Sequence, residues 1–363
     1  MRAVVFEEFG RLAAVREVAD PEPPPGGAVV RVAATGLCRS DWHAWRGHDD
    51  SVTLPHVPGH EFAGEVVAVG AAVRGVRAGA RVTAPFVHAC GRCASCARGD
   101  QQVCARQEQP GFTYWGSYAE FVVVRRADVN LVELPADLPC ATAASLGCRF
   151  ATAYRAVVAQ GRVRPGEWVA VHGCGGVGLS AVMVAVAGGA RVVAVDPSPQ
   201  ALRLAAEFGA AACLVPGPTA EATAEAVREA TGGGAHVSLD ALGSAVTCAA
   251  SVAGLRARGR HVQVGLLAAG AVEVPMGRVL ALELELLGSH GMAAHAYPEM
   301  LRQVSAGVLR PELLVRSVIG LSEAPAAMAA MSEGSPTGIT VIAPAGVEAA
   351  EAAGASDAAG ASA

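Results

Sequence analysis

The chain has 363 residues, ten cysteines and a formal net charge of −5. That length fits two domains better than one, and mixed charge without a basic stripe excludes the usual footprint of a nucleic-acid binder. The apolar fraction is 52%, but it is Ala and Val spread along the chain, with no uncharged apolar run of about 18 residues to span a membrane. Glu7 and Glu8 stand where a signal peptide would carry its apolar segment, so the expectation is a cytoplasmic protein. In a reducing compartment its cysteines serve metals before disulfides.

From the N-terminus, Ala3 to Phe6, Leu12 to Glu17 and Ala28 to Ala34 read as strands, with the Pro21 to Gly27 run breaking the ladder between the last two. Gly36-Leu37-Cys38-Arg39-Ser40-Asp41-Trp42-His43 follows, then Gly59-His60-Glu61. Cys38 and His60 are a thiolate and an imidazole of the kind zinc takes, with too few protein ligands nearby to close the shell, so a position stays open for substrate. Taken singly, each is as readily a buried cysteine and a satisfied histidine. Phe62 to Gly70 and Ala80 to Ala84 are again short and punctuated by glycine, which predicts a β-rich, barrel-like domain.

Cys90, Cys93 and Cys96 are followed eight positions later by Cys104. Four thiolates close a tetrahedron around zinc and leave no place for a reactant, so this is read as a structural site in a polar lobe of about residues 86 to 110. An iron-sulfur centre is the alternative the spacing leaves open. Cys140, Cys174, Cys213 and Cys248 lie in apolar contexts and are read as core.

Near residue 150 the pattern changes to alternating strand and helix. Trp168 to His172 is an apolar strand that runs into Gly173-Cys174-Gly175-Gly176-Val177-Gly178 and then a helix to about Ala187. Between a strand and a helix, that glycine spacing is the dinucleotide fingerprint, with the pyrophosphate at the helix N-terminus. The next strand, Ala190 to Val195, ends in Asp196, 18 residues beyond Gly178. A carboxylate there accepts from ribose hydroxyls and repels a 2′-phosphate, which predicts NAD over NADP; the plainer reading has Asp196 capping the next helix. Further strands are read at Ala212 to Val215, His236 to Asp240, Arg260 to Val264 and Leu284 to Leu287, with helices at Ala220 to Thr231 and Ser244 to Leu255. They make about six parallel strands of a doubly wound sheet. Helices at Tyr297 to Gly307 and Glu323 to Met331 and a disordered Ala/Gly/Ser tail from about 344 complete the reading.

Taken together in this order, the Gly36 to His43 stretch, Gly59-His60-Glu61, the four-cysteine cluster, Cys148 and the glycine motif resemble the zinc-dependent medium-chain alcohol dehydrogenases over nearly all of residues 1 to 343. The resemblance implies an α/β protein: a GroES-like β-rich catalytic domain, 1–149 plus 289–343, interrupted by a Rossmann doubly wound parallel-sheet domain, 150–288, with cofactor and substrate in the cleft and 344–363 as tail. It implies Cys38, His60 and Cys148 as catalytic-zinc ligands and Cys90, Cys93, Cys96 and Cys104 as structural-zinc ligands. Glu61 is the carboxylate that approaches the metal during ligand exchange, Asp41 the one that orients His60. Ser40 and His43 are the proton relay, and NAD rests on Gly173, Gly175, Gly176, Val177, Gly178, Asp196 and Thr152. Phe86 is a wall of the substrate pocket, with Trp45, Phe112 and Trp115 as further candidates. The partner is a small alcohol, aldehyde or ketone, with no nucleic acid and no membrane, and the assembly a homo-oligomer, a tetramer before a dimer.

The chain departs from the family where a basic residue usually follows a glycine near the C-terminus: it reads Gly338-Ile339-Thr340-Val341. The expectation is weaker NAD binding. A cysteine at 148 favours simple primary or secondary alcohols, with a zinc-dependent polyol or amino-alcohol dehydrogenase as the alternative enzyme. A cofactor-binding structural or regulatory protein of the same fold is the non-enzyme alternative.

Overall fold

The computed structural model describes residues 1–267, 272–334, 336–346 and 350. The chain divides into two compact units, one of Met1–Ala151, Gly291–Gly307 and the chain from Pro311, the other of Thr152–His290 and Val308–Arg310. The tail expected from residue 344 lies, beyond Gly346 and apart from Ala350, outside the described residues. Among the described residues no helix is long and apolar enough to cross a membrane.

In the first unit β1 (Arg2–Val5) and β2 (Ala14–Glu17) form an antiparallel pair. A larger sheet is built around β3 (Ala28–Leu37). β3 pairs antiparallel with β4 (Phe62–Val69) and β6 (Phe121–Val124), and β4 leads through β5 (Arg81–Thr83) to β7 (Val132–Glu133). Inward-facing Val30, Val32, Phe62, Val66, Val82, Val122 and Val124 form one core cluster, the β-branched filling that a pleated, half-buried surface favours. The helix Cys140–Ala144 packs against β3 and β4 and passes into a π-helical turn at Leu146–Phe150.

The second unit is a six-stranded, wholly parallel sheet. Its strands are β8 (Trp168–His172), β9 (Arg191–Val195), β10 (Ala212–Leu214), β11 (Ala235–Asp240), β12 (Leu255–Gln263) and β13 (Glu285–Gly288), in the order β10-β9-β8-β11-β12-β13. That is the doubly wound order, reversing between β8 and β11. All five residues of β8 are buried, as expected of a strand covered on both faces. The helix expected to run to Leu255 stops at Ala253, because Gly254 caps it and Leu255 already pairs with Ala235 as the start of β12. The helix Met276–Ala281, with no buried residue, gave no periodic apolar signal to read.

Back in the first unit, β14 (Val315–Gly320) pairs parallel with β15 (Ile339–Ala343), which joins β3 through Val341 opposite Gly36. Ile339 is 0% exposed. A lysine placed there would bury an unpaired charge, so that substitution reads core disruption rather than a missing phosphate contact.

Candidate active site

β3 delivers the chain to Cys38, whose extended backbone (φ −114°, ψ 151°) caps the short helix Arg39–Trp45. Three residues on, Asp41 turns back with its carboxylate wholly buried. Its Oδ2 accepts from the Cys38 amide at 3.0 Å and the Tyr118 hydroxyl at 2.8 Å; its Oδ1 accepts from the Gly59 amide at 3.0 Å and from His60 Nδ1 at 2.8 Å. A buried carboxylate with four donors is satisfied, and it fixes His60 with a proton on Nδ1. His60 Nε2 is buried and makes no hydrogen bond. A buried nitrogen left bare costs free energy unless something takes its lone pair.

What lies around that nitrogen supplies the reason. One donor atom each from Cys38, His60, Glu61 and Cys148 lie within 4.8 Å of one another. Cys148 arrives on the π-helical turn, a local widening that recurs at functional sites. The two thiols titrate together: the hydrogen bond from Cys148 pulls Cys38 well below the usual thiol range, and the same bond and burial push Cys148 up. Burial works against charge on His60, but Asp41 and the Cys38 sulfur raise it well above the ordinary imidazole value. A soft sulfur pair and an oriented imidazole fit zinc. Glu61 is held aside. Its Oε1 accepts from the Arg149 amide at 2.9 Å and from Arg149 Nε at 3.0 Å, while Oε2 pairs with the guanidinium. Burial raises the Glu61 carboxyl and Arg149 opposes that rise.

Of the proton-relay candidates, Ser40 is half-buried on the first turn of the helix and His43 half-buried one turn on. Phe86 and Phe112 make T-shaped contacts with His60, with ring centroids at 6.2 and 5.4 Å. Trp45 instead packs in the core with Phe6 and Met328 and spends its indole N–H on Arg11 O, and Trp115 is 37% exposed and bonded to Pro55 O. Among the aromatic candidates only the two phenylalanines pack on the imidazole; the pocket expectation for Trp45 and Trp115 gains no such contact.

The second cluster is built differently. Cys93 Sγ lies 3.4 Å from Cys96 Sγ and 3.7 Å from Cys104 Sγ, and Cys90 Sγ lies 3.9 Å from Cys96 Sγ. These are far beyond the ~2.05 Å of a disulfide and near the ~3.8 Å edge of a tetrahedron with ~2.3 Å zinc–sulfur bonds. The Cys90 and Arg106 amides both donate to Cys104 Sγ at 3.3 Å. The Arg92 amide draws Cys90 down to about 6, whereas burial and Cys93 push Cys96 up to about 11.

In the second unit, β8 opens through Gly173 into the helix Gly176–Ala187, capped by Gly175. A Cβ on Gly178 would collide with the Gly173 carbonyl, so the helix can sit this close to the strand only with glycine there. A Cβ on Gly175 would meet nothing within 4 Å, which leaves open ground over the helix N-terminus. Asp196 accepts from the Cys174 amide at 2.7 Å and the Ser198 amide at 2.8 Å. The cap of the next helix is Ser198, accepting from Ala201 N at 3.3 Å; Asp196 does not perform that duty. Val177 is half-buried, and the Thr152 hydroxyl is buried without a hydrogen-bond partner. These residues fit a dinucleotide.

Two known families of domain match the chain: "Alcohol dehydrogenase GroES-like domain" over residues 24–136 and "Zinc-binding dehydrogenase" over 176–306. An alcohol dehydrogenase of Geobacillus stearothermophilus is 37% identical over 270 residues, 73% of this chain and 78% of that protein. The chain belongs to the zinc-dependent medium-chain alcohol dehydrogenases. Among solved structures, alcohol dehydrogenase TADH from Thermus sp. ATN1 superposes with a TM-score of 0.86 at 35% identity, covering 94% of this chain and 99% of its own. A structure titled as an NAD-dependent alcohol dehydrogenase gives 0.85 at 32%, covering 95% and 100%.

Tyr118 and Arg149 carry no local sequence signal for their roles. Tyr118 lies 77 positions from Asp41 and Arg149 lies 88 from Glu61, so no local pattern links them. An arginine directly after a ligand-type cysteine was the one available hint.

Proposed function

We propose that the chain interconverts primary or secondary alcohols with aldehydes or ketones, with zinc held by Cys38, His60 and Cys148, a second zinc by Cys90, Cys93, Cys96 and Cys104, and NAD on the Gly173 to Gly178 turn. The observation that carries the reading is His60 Nε2, buried and unbonded, beside two sulfurs, with its ring aimed by Asp41. Bound zinc lowers the pKa of the alcohol and bound NAD takes up the hydride. The chain's own groups do the rest. Asp41 holds His60 in one tautomer. Arg149 keeps Glu61 paired, so Cys38, His60 and Cys148 would be the residues that hold the ion. Phe86 and Phe112 give the imidazole an apolar border, which suits a hydrophobic alcohol. Ser40 and His43 carry the alcohol proton away before hydride moves. Asp196, fixed by two amides, accepts from the ribose hydroxyls and opposes a 2′-phosphate.

Ten cysteines outside any disulfide fit the reducing conditions of the cytoplasm. Self-association is supported by β13 at the end of the sheet and by exposed Leu280, Met276 and Leu286 nearby; light scattering reads whether the assembly is the expected tetramer or a dimer. The deciding experiment pairs elemental analysis with NADH formation across aliphatic, aromatic and polyol alcohols. Two zincs per chain with turnover of simple alcohols is the expected result, and turnover of polyols alone would replace this reading with the polyol dehydrogenase one.

A further inference from the structure

The helix that carries Ser40, Asp41 and His43 ends in a way that its function has not yet used. Gly47 N–H bonds to Ala44 O at 3.1 Å and His48 N–H to His43 O at 3.0 Å, with Gly47 at φ +73°. This is the double hydrogen bond of a Schellman cap, in which a left-handed glycine folds the chain back on the last turn. An apolar side chain usually sits where His48 does and packs on the residue three from the helix end. Here both positions are histidines, and the rings are bonded: His43 Nδ1 lies 2.9 Å from His48 Nδ1, with centroids 5.2 Å apart. Trp42 stands edge-on to both, at 4.9 and 5.6 Å. His43 is half-buried and His48 exposed.

We propose that His48 is the outer station of the proton path, so that a proton reaching His43 leaves through His48 to water. This rests on the reading of His43 given above. The bond requires one ring to donate, and with both rings neutral a single proton lies between them. Start with that proton on His43 Nδ1 and the His48 proton on Nε2. A proton taken up at His43 Nε2 makes that ring a cation; its Nδ1 proton crosses to His48 Nδ1, and the His48 Nε2 proton passes to water. One proton has entered and one has left, and both rings are neutral again with their protons on the opposite nitrogens. Exchange with water restores the first state, and the reverse sequence brings a proton in for carbonyl reduction. The charged groups acting on His43 favour quick release: burial, Arg39 and His48 lower its basicity, opposed only by Cys38. Arg39 is itself held over the Trp42 ring at 3.9 Å and bonded to Met331 O. Asp49, next along, spends its carboxylate on the Ser51 amide and hydroxyl.

The test is stopped-flow measurement of first-turnover NADH formation in the zinc-loaded enzyme, against pH and against added imidazole, for His48→Ala, His48→Gln and His43→Gln. The cap is made by backbone groups, so the His48 variants should melt within about 2 °C of wild type. For His48→Ala, alcohol oxidation should slow about tenfold, within the usual range for a proton-transfer group, with a shifted pH profile and recovery on adding imidazole. His48→Gln, which cannot shuttle a proton, should slow alike. Wild-type rates and profiles in both His48 variants would overturn the proposal, as would a loss that imidazole does not restore. If His43→Gln still shifts the profile, only the outer station is lost; if His43→Gln also behaves as wild type, the relay itself is wrong.

Discussion

At Cys90, Cys93, Cys96 and Cys104 every donor is a sulfur, Cys93 and Cys96, Cys93 and Cys104, and Cys90 and Cys96 stand 3.4 to 3.9 Å apart, and two backbone amides point at Cys104. At Cys38, His60 and Cys148 the donors are mixed, the imidazole is aimed by a buried carboxylate, and a fourth candidate, Glu61, is tied to Arg149. The first arrangement comes from one stretch of 15 residues and resembles a clip on a lobe with little core of its own: its cluster contains the cysteines, Ala89 and Val129. The second draws on β3's end, the segment before β4 and the π-helical turn, so it exists only once the larger sheet has folded. A local centre can stabilise; a centre assembled from distant segments can be tuned by its neighbours.

The sharpest break of that comparison is one cysteine from each. Cys38→Ser should remove the catalytic metal and slow turnover by about 10³-fold or more, the several kcal/mol that a Lewis acid contributes, with a small change in Tm. Cys93→Ser should leave the first-turnover rate of the folded enzyme nearly intact while lowering Tm by roughly 5–10 °C, equivalent to a few kcal/mol. Each variant should lose one zinc by elemental analysis. Equal effects on rate and Tm in both would mean that the two centres are not divided in this way.

The difference in origin also explains what could be read in advance. The four-cysteine cluster and the glycine turn were legible because their spacing is local, and β8 and the helix Gly176–Ala187 fall where the apolar run and the glycines put them. Cys38 and His60 could be paired by the chemistry of their side chains, but Cys148 joined them only by resemblance, since its proximity is a product of tertiary structure. Arg149 and Tyr118 had no periodic or spacing signal at all. His48 did have one, a glycine just past a helix end, but the seven-residue helix Arg39–Trp45 was read only as a motif and so its cap went unseen. Ile339, where the usual basic residue is replaced, is 0% exposed, so a lysine there cannot read the expected loss of NAD affinity without disturbing the core.

Arg149→Met asks how far the catalytic centre depends on its neighbours. It strands a buried Glu61 carboxylate, a change that costs about 3–5 kcal/mol, read as a lower denaturant midpoint. Adding Glu61→Gln should restore most of it, because the uncompensated charge is then gone. A single variant as stable as wild type would show that water reaches Glu61. No comparable loss is expected from Arg92→Met beside the other centre, whose side chain is exposed.

Acid tests the region of the four-cysteine centre through one buried imidazole. His88, in the four-cysteine lobe, is buried with Nδ1 bonded to Tyr114 and Nε2 bare, and burial, with Arg126 and Arg125, brings it down to about 3 against the opposing Glu108. The unfolded chain takes up this proton below about pH 6.5 and the folded one does not until about 3, so stability falls as pH falls through that window by about 1.4 kcal/mol per unit. His172, buried and brought down to about 4, adds a second proton over most of it. His88→Gln should therefore make the acid limb of Tm shallower by one proton relative to wild type, and an unchanged slope would place the acid sensitivity elsewhere.

The smallest effect tests the aim of the imidazole. Tyr118→Phe removes one of four donors to Asp41 and leaves Oδ2 with the Cys38 amide at 3.0 Å. A net hydrogen bond of this kind is worth about 1 kcal/mol, and outer partners of a metal-bound imidazole commonly change metal affinity by roughly tenfold or more. The expected result is a zinc dissociation constant about tenfold weaker at the catalytic centre, measured by competition with a chelator, with the four-cysteine centre untouched. If zinc affinity does not move, the amides of Cys38 and Gly59 suffice to hold Asp41, and the hydroxyl serves only the fold by also reaching Gly36 O at 3.3 Å. Because the variant keeps the ring and its packing, the two results separate orientation of the ligand from support of the strand.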